Sequence, residues 1–135
     1  MITHLTIPIA RQGLHPITPV VSDVVRDAGH AEGLCSLFIQ HTSASLLVQE
    51  NYDESARIDL ENWLNRLVPE NDPLYTHTLE GPDDMPAHIK STLTASHLSV
   101  PFENGKLLLG TWQGIYLWEH RHHSNARAVI AHVSG

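Results

Sequence analysis

Basic side chains are scarce in this sequence. Eight Lys and Arg stand against 15 Asp and Glu, for a net charge of −7. That excludes a generic binder of a nucleic-acid backbone, which needs a basic face. It leaves room for a small phosphorylated ligand held by a few local donors. Cysteine is limited to Cys35, which has no disulfide partner in the chain and reads as a small buried hydrophobe. A lone thiol fits a reducing compartment. No apolar run approaches the ~20 residues of a membrane-spanning helix, so no membrane partner is expected. Met1-Ile2-Thr3-His4 lacks the basic and apolar regions of a signal peptide, and the expected location is cytoplasmic. There is no Walker-type loop, nucleophile elbow or cysteine-pair metal motif. Internal repeats and low-complexity tracts are also lacking.

What is present is a globular composition, 41% hydrophobic and 17% charged, together with 11 histidines. A length of 135 residues predicts one domain over 1–135. Strands are expected at 2–9, 15–17, 34–41, 44–49, 97–102, 107–112, 113–119 and 127–133. Asn104-Gly105 between two of them is a strong hairpin signal. Thr18-Pro19 predicts a helix start with Thr18 as N-cap, and Gly29 a stop. Asn51 with Glu54 suggests a capping box. The helix that follows carries Ala56, Leu60, Trp63, Leu64 and Leu67 at amphipathic spacing and stops before Pro69. A long polar connection over 69–86 leads to a short helix at about 86–95 with Asp84 as its N-cap. The fold class is therefore α+β, with mixed or antiparallel sheets in a sandwich-like core and two or three helices.

The stretch Gln40-His41-Thr42-Ser43-Ala44-Ser45 is the leading site candidate. His41 continues the apolar row Cys35, Leu37, Ile39, and hydroxyls follow at once. Hydroxyls and backbone amides at a strand end can hold an anion without net positive charge. The competing reading is a core histidine followed by a turn. His77 lies in the long loop and His88 near the start of the short helix. Three histidines on separate elements suit a metal site with an open position, although no pair such as His-Glu-x-x-His is present. Asp83-Asp84 reads either as part of a Mg²⁺ site or as a helix cap. Trp112 and Gln113 lie between Gly110 and Gly114, where a flat ligand could stack and hydrogen-bond, or where the sheet could simply bend. Glu119 continues the apolar face of its strand and needs a partner if buried. Arg121 and Arg127 are candidates for that partner or for a phosphate. His122 and His123 read as a solvated turn.

These motifs resemble the YjbQ-like family. The resemblance runs through Gln40-His41-Thr42-Ser43-Ala44-Ser45-Leu46, Asp83-Asp84-Met85-Pro86-Ala87-His88-Ile89-Lys90-Ser91, Gly110-Thr111-Trp112-Gln113-Gly114-Ile115 and Glu119-His120-Arg121. It implies a homotrimer with sites near subunit interfaces. It also implies a secondary thiamine-phosphate synthase activity, joining a pyrimidine methyl diphosphate to a thiazole phosphate with release of pyrophosphate. The implied metal, Mg²⁺ or Zn²⁺, falls to His41, His77 and His88. On this view His41, Ser43, His88 and Glu119 are the catalytic candidates. Thr42, Ser45, Lys90, Ser91, Trp112, Gln113 and Arg121 are the substrate-binding ones. A zinc-dependent hydrolase of a small phosphorylated metabolite, with Glu119 or a histidine moving the proton, is one alternative. A non-enzymatic trimeric module that binds such a metabolite is another.

Overall fold

Period-two alternation decides which side of each strand is buried. The computed structural model describes residues 1–123 and 125–135. In β3 (Glu32–Ile39), Cys35, Leu37 and Ile39 share a buried face, while Phe38 points outward and is exposed. Val129, Ala131 and Val133 repeat the pattern in β8 (Arg127–Ser134). These strands pair antiparallel. With β1 (Ile2–Ile7), β5 (His97–Glu103) and β6 (Lys106–Leu107) they form a sheet ordered β1-β8-β3-β5-β6. A second antiparallel sheet has the order β2-β7-β4, from β2 (Gly13–Pro16), β7 (Gln113–Glu119) and β4 (Ala44–Glu50). Three helices complete the described residues: α1 (Thr18–Ala28), α2 (Glu54–Leu67) and α3 (Asp84–Leu93). The fold is α+β, and none of the helices is long and apolar enough to cross a membrane.

One apolar core lies between the two sheets. Leu37, Ile39, Val129 and Phe102 from the larger sheet meet Leu46, Ile115 and Leu117 from the smaller, with Val21 and Val25 of α1 packed among them. A second cluster covers the other side of the smaller sheet, where Leu14, Tyr116 and Trp118 meet Leu64 and Val68 at the end of α2. β7 is therefore buried on both faces, which explains why Gly114 through Glu119 are all buried.

The observed boundaries depart from the sequence expectations at places with local causes. Thr18 is inside α1, with Ile17 at the cap position. Its hydroxyl instead accepts a hydrogen bond from Ile115 N–H at 2.8 Å, tying the helix to β7. Asp53, not Asn51, caps α2, accepting from Ser55 N–H at 2.9 Å. α3 begins at Asp84, because Pro86 is tolerated within a first helical turn. The strand expected at 107–112 shrinks to β6. Leu108 N–H still reaches Pro101 O at 2.9 Å, but Pro101 has no N–H to return the bond. β3 ends at Ile39, so His41 lies beyond the strand rather than in its row.

The inter-sheet core ends on an ion pair. Glu119, fully buried, is next in the row Ile115, Leu117 of the smaller sheet. Arg127 begins the row Val129, Ala131, Val133 of the larger one. Arg127 Nε donates to Glu119 Oε1 at 2.6 Å and Nη2 to Oε2 at 2.5 Å. Nη2 also reaches Ser43 Oγ at 2.9 Å. A two-pronged guanidinium-carboxylate pair thus joins the sheets where apolar packing stops. Replacing Arg127 takes the compensating charge away from a fully buried carboxylate. Arg127→Met is expected to lower the unfolding free energy by about 3–5 kcal/mol in urea denaturation. A loss under about 1 kcal/mol, typical of an exposed pair, contradicts this role.

Candidate metal centre

α3 starts where the long 69–86 connection returns to the body of the protein. Asp84 in its first turn and His88 one turn later face the same way. His77 comes from the loop. His77 Nε2 is 2.8 Å and His88 Nε2 3.1 Å from Asp84 Oδ2. The three ligand atoms lie within 4.8 Å of one another. Asp84 is buried, whereas His77 is exposed and His88 half-buried, so the cluster opens to solvent on the histidine side.

The hydrogen bonding of His88 settles its tautomer. Thr42 O can only accept, so His88 Nδ1 carries the proton it donates over 3.1 Å. In the neutral ring, Nε2 then presents a lone pair towards a carboxylate oxygen, which also presents lone pairs. A cation placed between them would bond both. A ring N–H held by a backbone carbonyl, leaving the other nitrogen to ligate, is the usual support of a metal-binding histidine.

Arg121 holds the carboxylates from behind. Its Nη1 is 3.2 Å from Asp84 Oδ1 and its Nη2 3.2 Å from Asp83 Oδ1. Nη2 also donates to Glu80 O at 2.6 Å. His122 N–H donates to Asp83 Oδ2 at 2.8 Å. Burial works to raise the Asp83 pKa, but the bonds from His122 and Arg121 outweigh it and hold the group below its ordinary value. The hydrogen bond to Asp83 raises the Arg121 pKa in turn. Gly81, at φ +107°, supplies the positive φ that this loop needs just before the helix.

The other expected site residues fall into separate places. His41 is outside the cluster. Its Nε2 accepts from Ala128 N–H at 2.8 Å, and Arg127 Nη1 is 3.2 Å from its Nδ1. Burial and then the Arg127 charge lower its pKa, against a smaller opposing effect of Glu119. The ring is therefore neutral, and its one lone pair is taken within the protein. His41 and Thr42 line an open recess of about 470 Å³ beyond β3. Ser43 is bonded to Arg127, and the Ser91 hydroxyl points to Ala44 O at 3.4 Å. Glu119 is committed to Arg127.

Trp112 lies just before the start of β7 and Glu119 at its end, about 20 Å apart along the strand. Trp112 is exposed against Tyr52, with ring centroids 4.5 Å apart, and Gln113 Oε1 closes a turn on Gly110 N–H at 2.7 Å. These two residues do not reach the histidine cluster of the same chain. Lys90 is buried on the far side of α3 from His88. His122 is exposed in the bend after β7, as the sequence reading expects, and its ring also bonds Glu70 Oε1 at 2.7 Å.

Asp84, read from the sequence as a helix cap or part of a Mg²⁺ site, joins the two histidines instead, and His120 takes a place that the sequence reading did not give it. Asp84 completes the cluster, and the i, i+4 spacing Asp84-x-x-x-His88 was the available signal. His120 is buried, with Nε2 2.8 Å from Ser45 Oγ, and Ser45 bonds on to Thr94. Burial, then the charge on Lys90, pushes the His120 pKa down to about 3.

Fold and site together define a small α+β protein with two facing antiparallel sheets and a His-Asp-His cluster at the mouth of its long loop. The family model described as UPF0047 protein YjbQ-like matches residues 3–135, and the chain belongs to that family. It is 50% identical over 129 residues to the UPF0047 protein sll1880 of Synechocystis sp., covering 94% of this chain and 88% of that one. It is 42% identical to the UPF0047 protein YjbQ of Escherichia coli O157:H7, covering 97% and 95%. Among solved structures it is similar to the conserved hypothetical protein TT1486 of Thermus thermophilus. That match has a TM-score of 0.87 and 36% identity over 98% of this chain and 99% of the other. An uncharacterized conserved protein of the same family from Clostridium acetobutylicum gives 0.88 and 32%, covering 98% and 99%.

The buried neutral His120 makes stability depend on pH. The unfolded chain protonates this ring as pH falls through about 6.5, whereas the folded chain does so only near 3. The contribution is therefore complete above pH 6.5 and declines on acidification. It reaches a loss of about 2 kcal/mol by pH 5. Urea denaturation at pH 7 and pH 5 should show a larger acid loss in the unaltered chain than in His120→Asn. Equal losses contradict a neutral buried His120.

Proposed function

We propose that the chain is a metal-assisted enzyme acting on a small phosphorylated metabolite, with the metal held by His77, Asp84 and His88. The observation that carries this reading is the convergence of three ligand atoms within 4.8 Å, one on a histidine whose other nitrogen is fixed by a carbonyl. Two imidazoles and one carboxylate suit Zn²⁺ with an open position better than Mg²⁺, which prefers oxygen. His41, assigned to the metal by the family resemblance, has no place in this set. Bound Zn²⁺ would supply Lewis-acid stabilisation of charge on a phosphate oxygen. Thr42 O keeps His88 Nε2 bare for ligation. Arg121 keeps Asp84 oriented and offsets part of the negative charge of Asp83 and Asp84.

The finer proposal is the transfer that joins a pyrimidine methyl diphosphate to a thiazole phosphate with release of pyrophosphate. That displacement needs charge stabilisation on the departing diphosphate more than a general base. Asp83, Asp84 and Glu119 are all engaged in ion pairs, which favours this reaction over hydrolysis by a carboxylate base. The test is turnover of the two substrates by protein purified without a histidine tag, loaded with Zn²⁺ or treated with chelator. Product should form only with the metal, and His88→Ala and Asp84→Asn should each lower kcat/KM by about 100-fold or more. Unchanged turnover in both folded variants sinks the assignment.

A homotrimer is proposed with it. The outer face of the five-stranded sheet carries exposed Ile2, Leu34 and Phe38, and the register sets Phe38 beside Ile130. Apolar side chains so placed suit burial against other copies. Light scattering should return three times the 15.0 kDa chain mass, and a monomer contradicts the assembly.

A further inference from the structure

α3 separates two places with different chemistry. Asp84 and His88 look towards the histidine cluster. Lys90 is two residues past His88, about 200° further round the helix, and faces the other way. There it lines a recess of about 300 Å³ together with Gln12, Asn65, Val68, Pro69, Glu70 and His122. Gln12, Asn65 and Lys90 also line a smaller, more enclosed chamber of about 60 Å³ behind it, which Glu61, Glu119 and His120 border. Those two carboxylates thus lie behind Lys90 and the wider recess in front of it.

Lys90 is only 3% exposed, so its ammonium does not escape to bulk water along its stem. An ammonium has three N–H donors. Among the described residues Lys90 Nζ makes one hydrogen bond, to Asn65 Oδ1 at 2.5 Å, and no ion pair. Glu70 and Asp83 both lie near enough to act on it through space, but Glu70 Oε1 is bonded to His122 Nε2 at 2.7 Å and Asp83 is paired with Arg121. Burying an ammonium against a single neutral amide is unfavourable. A buried cation with donors to spare, set in the wall of a recess, is what an oxyanion would complete.

We propose that this recess is a second binding site, separate from the metal centre, which takes an oxyanion of a small metabolite on the ammonium of Lys90. Asn65 orients Nζ. Glu70 and His122 form another part of the wall, and the Glu70 carboxylate opposes any anion that enters. A phosphate ester and a carboxylate share the chemistry that Lys90 recognises. The site stands whether or not the metal centre catalyses the proposed transfer.

The experiment is calorimetric titration of the full chain, in chelator so that no metal contributes, with inorganic phosphate and separately with acetate. The expected result is saturable binding of one anion per chain. Lys90→Met should weaken it by at least about tenfold, the loss of one charge-assisted hydrogen bond. His88→Ala should leave it unchanged. Glu70→Gln should tighten it severalfold, which provides a second reading should Lys90→Met fail to fold. Binding of phosphate alone marks a phosphorylated ligand, and binding of both anions marks any oxyanion; either supports the site. No saturable binding by the unaltered chain overturns it. So does affinity undiminished in folded Lys90→Met, or, where that variant does not fold, affinity unmoved by Glu70→Gln.

Discussion

The ion pair between Glu119 and Arg127 is the constraint on which the rest of this structure turns. Each residue ends an inward-facing row, one in each sheet, at the point where the shared apolar core stops. Apolar side chains there would extend the core but would not specify which strands meet. A guanidinium that grips a carboxylate with two N–H groups does specify it. The same Arg127 bonds Ser43 and approaches His41, so the loop between β3 and β4 is held by the same cation. Charge here replaces packing as the element that sets geometry.

That geometry passes outwards through neighbouring bonds. Glu119 Oε2 also accepts from Arg121 N–H at 3.1 Å, which fixes the turn that leaves β7. From that turn the Arg121 side chain reaches Asp83 and Asp84, and His122 N–H reaches Asp83. Asp84 then gathers His77 and His88. Thr42, held next to Ser43, supplies the carbonyl that orients His88. A loop of 69–86 with few apolar anchors is thus ordered around its carboxylates, and the candidate metal centre sits at the end of a chain of contacts that begins in the core. The lysine recess on the other side of α3 draws on the same turn through His122 and Glu70.

Most of the fold was legible because alternation and amphipathic spacing are local. The row Cys35, Leu37, Ile39 and the Asn104-Gly105 turn, with both residues at positive φ, stand where the sequence points. α2 forms as expected but buries Leu64 alone and leaves Trp63 and Leu67 of its apolar face exposed. Glu119 was legible as a residue in need of a partner, with Arg127 among the candidates. The site was less so. His41 looked like a ligand because the group that takes its lone pair, the Ala128 N–H, arrives from 87 residues away. Trp112 looked like part of the same site because strand length is invisible in a motif match. Asp84 was read as a cap or as part of a magnesium site, although it stands four residues before His88. Its pairing with His77 depends on how the long loop folds back, which no local pattern encodes.

Zinc-soaked crystals with anomalous scattering measured at the zinc edge put the central claim to the most direct test. The account predicts one strong peak between His77 Nε2, Asp84 Oδ2 and His88 Nε2, at the roughly 2.0–2.2 Å typical of such ligands. It predicts no peak at His41. A peak on His41, or none within reach of Asp84, would contradict it.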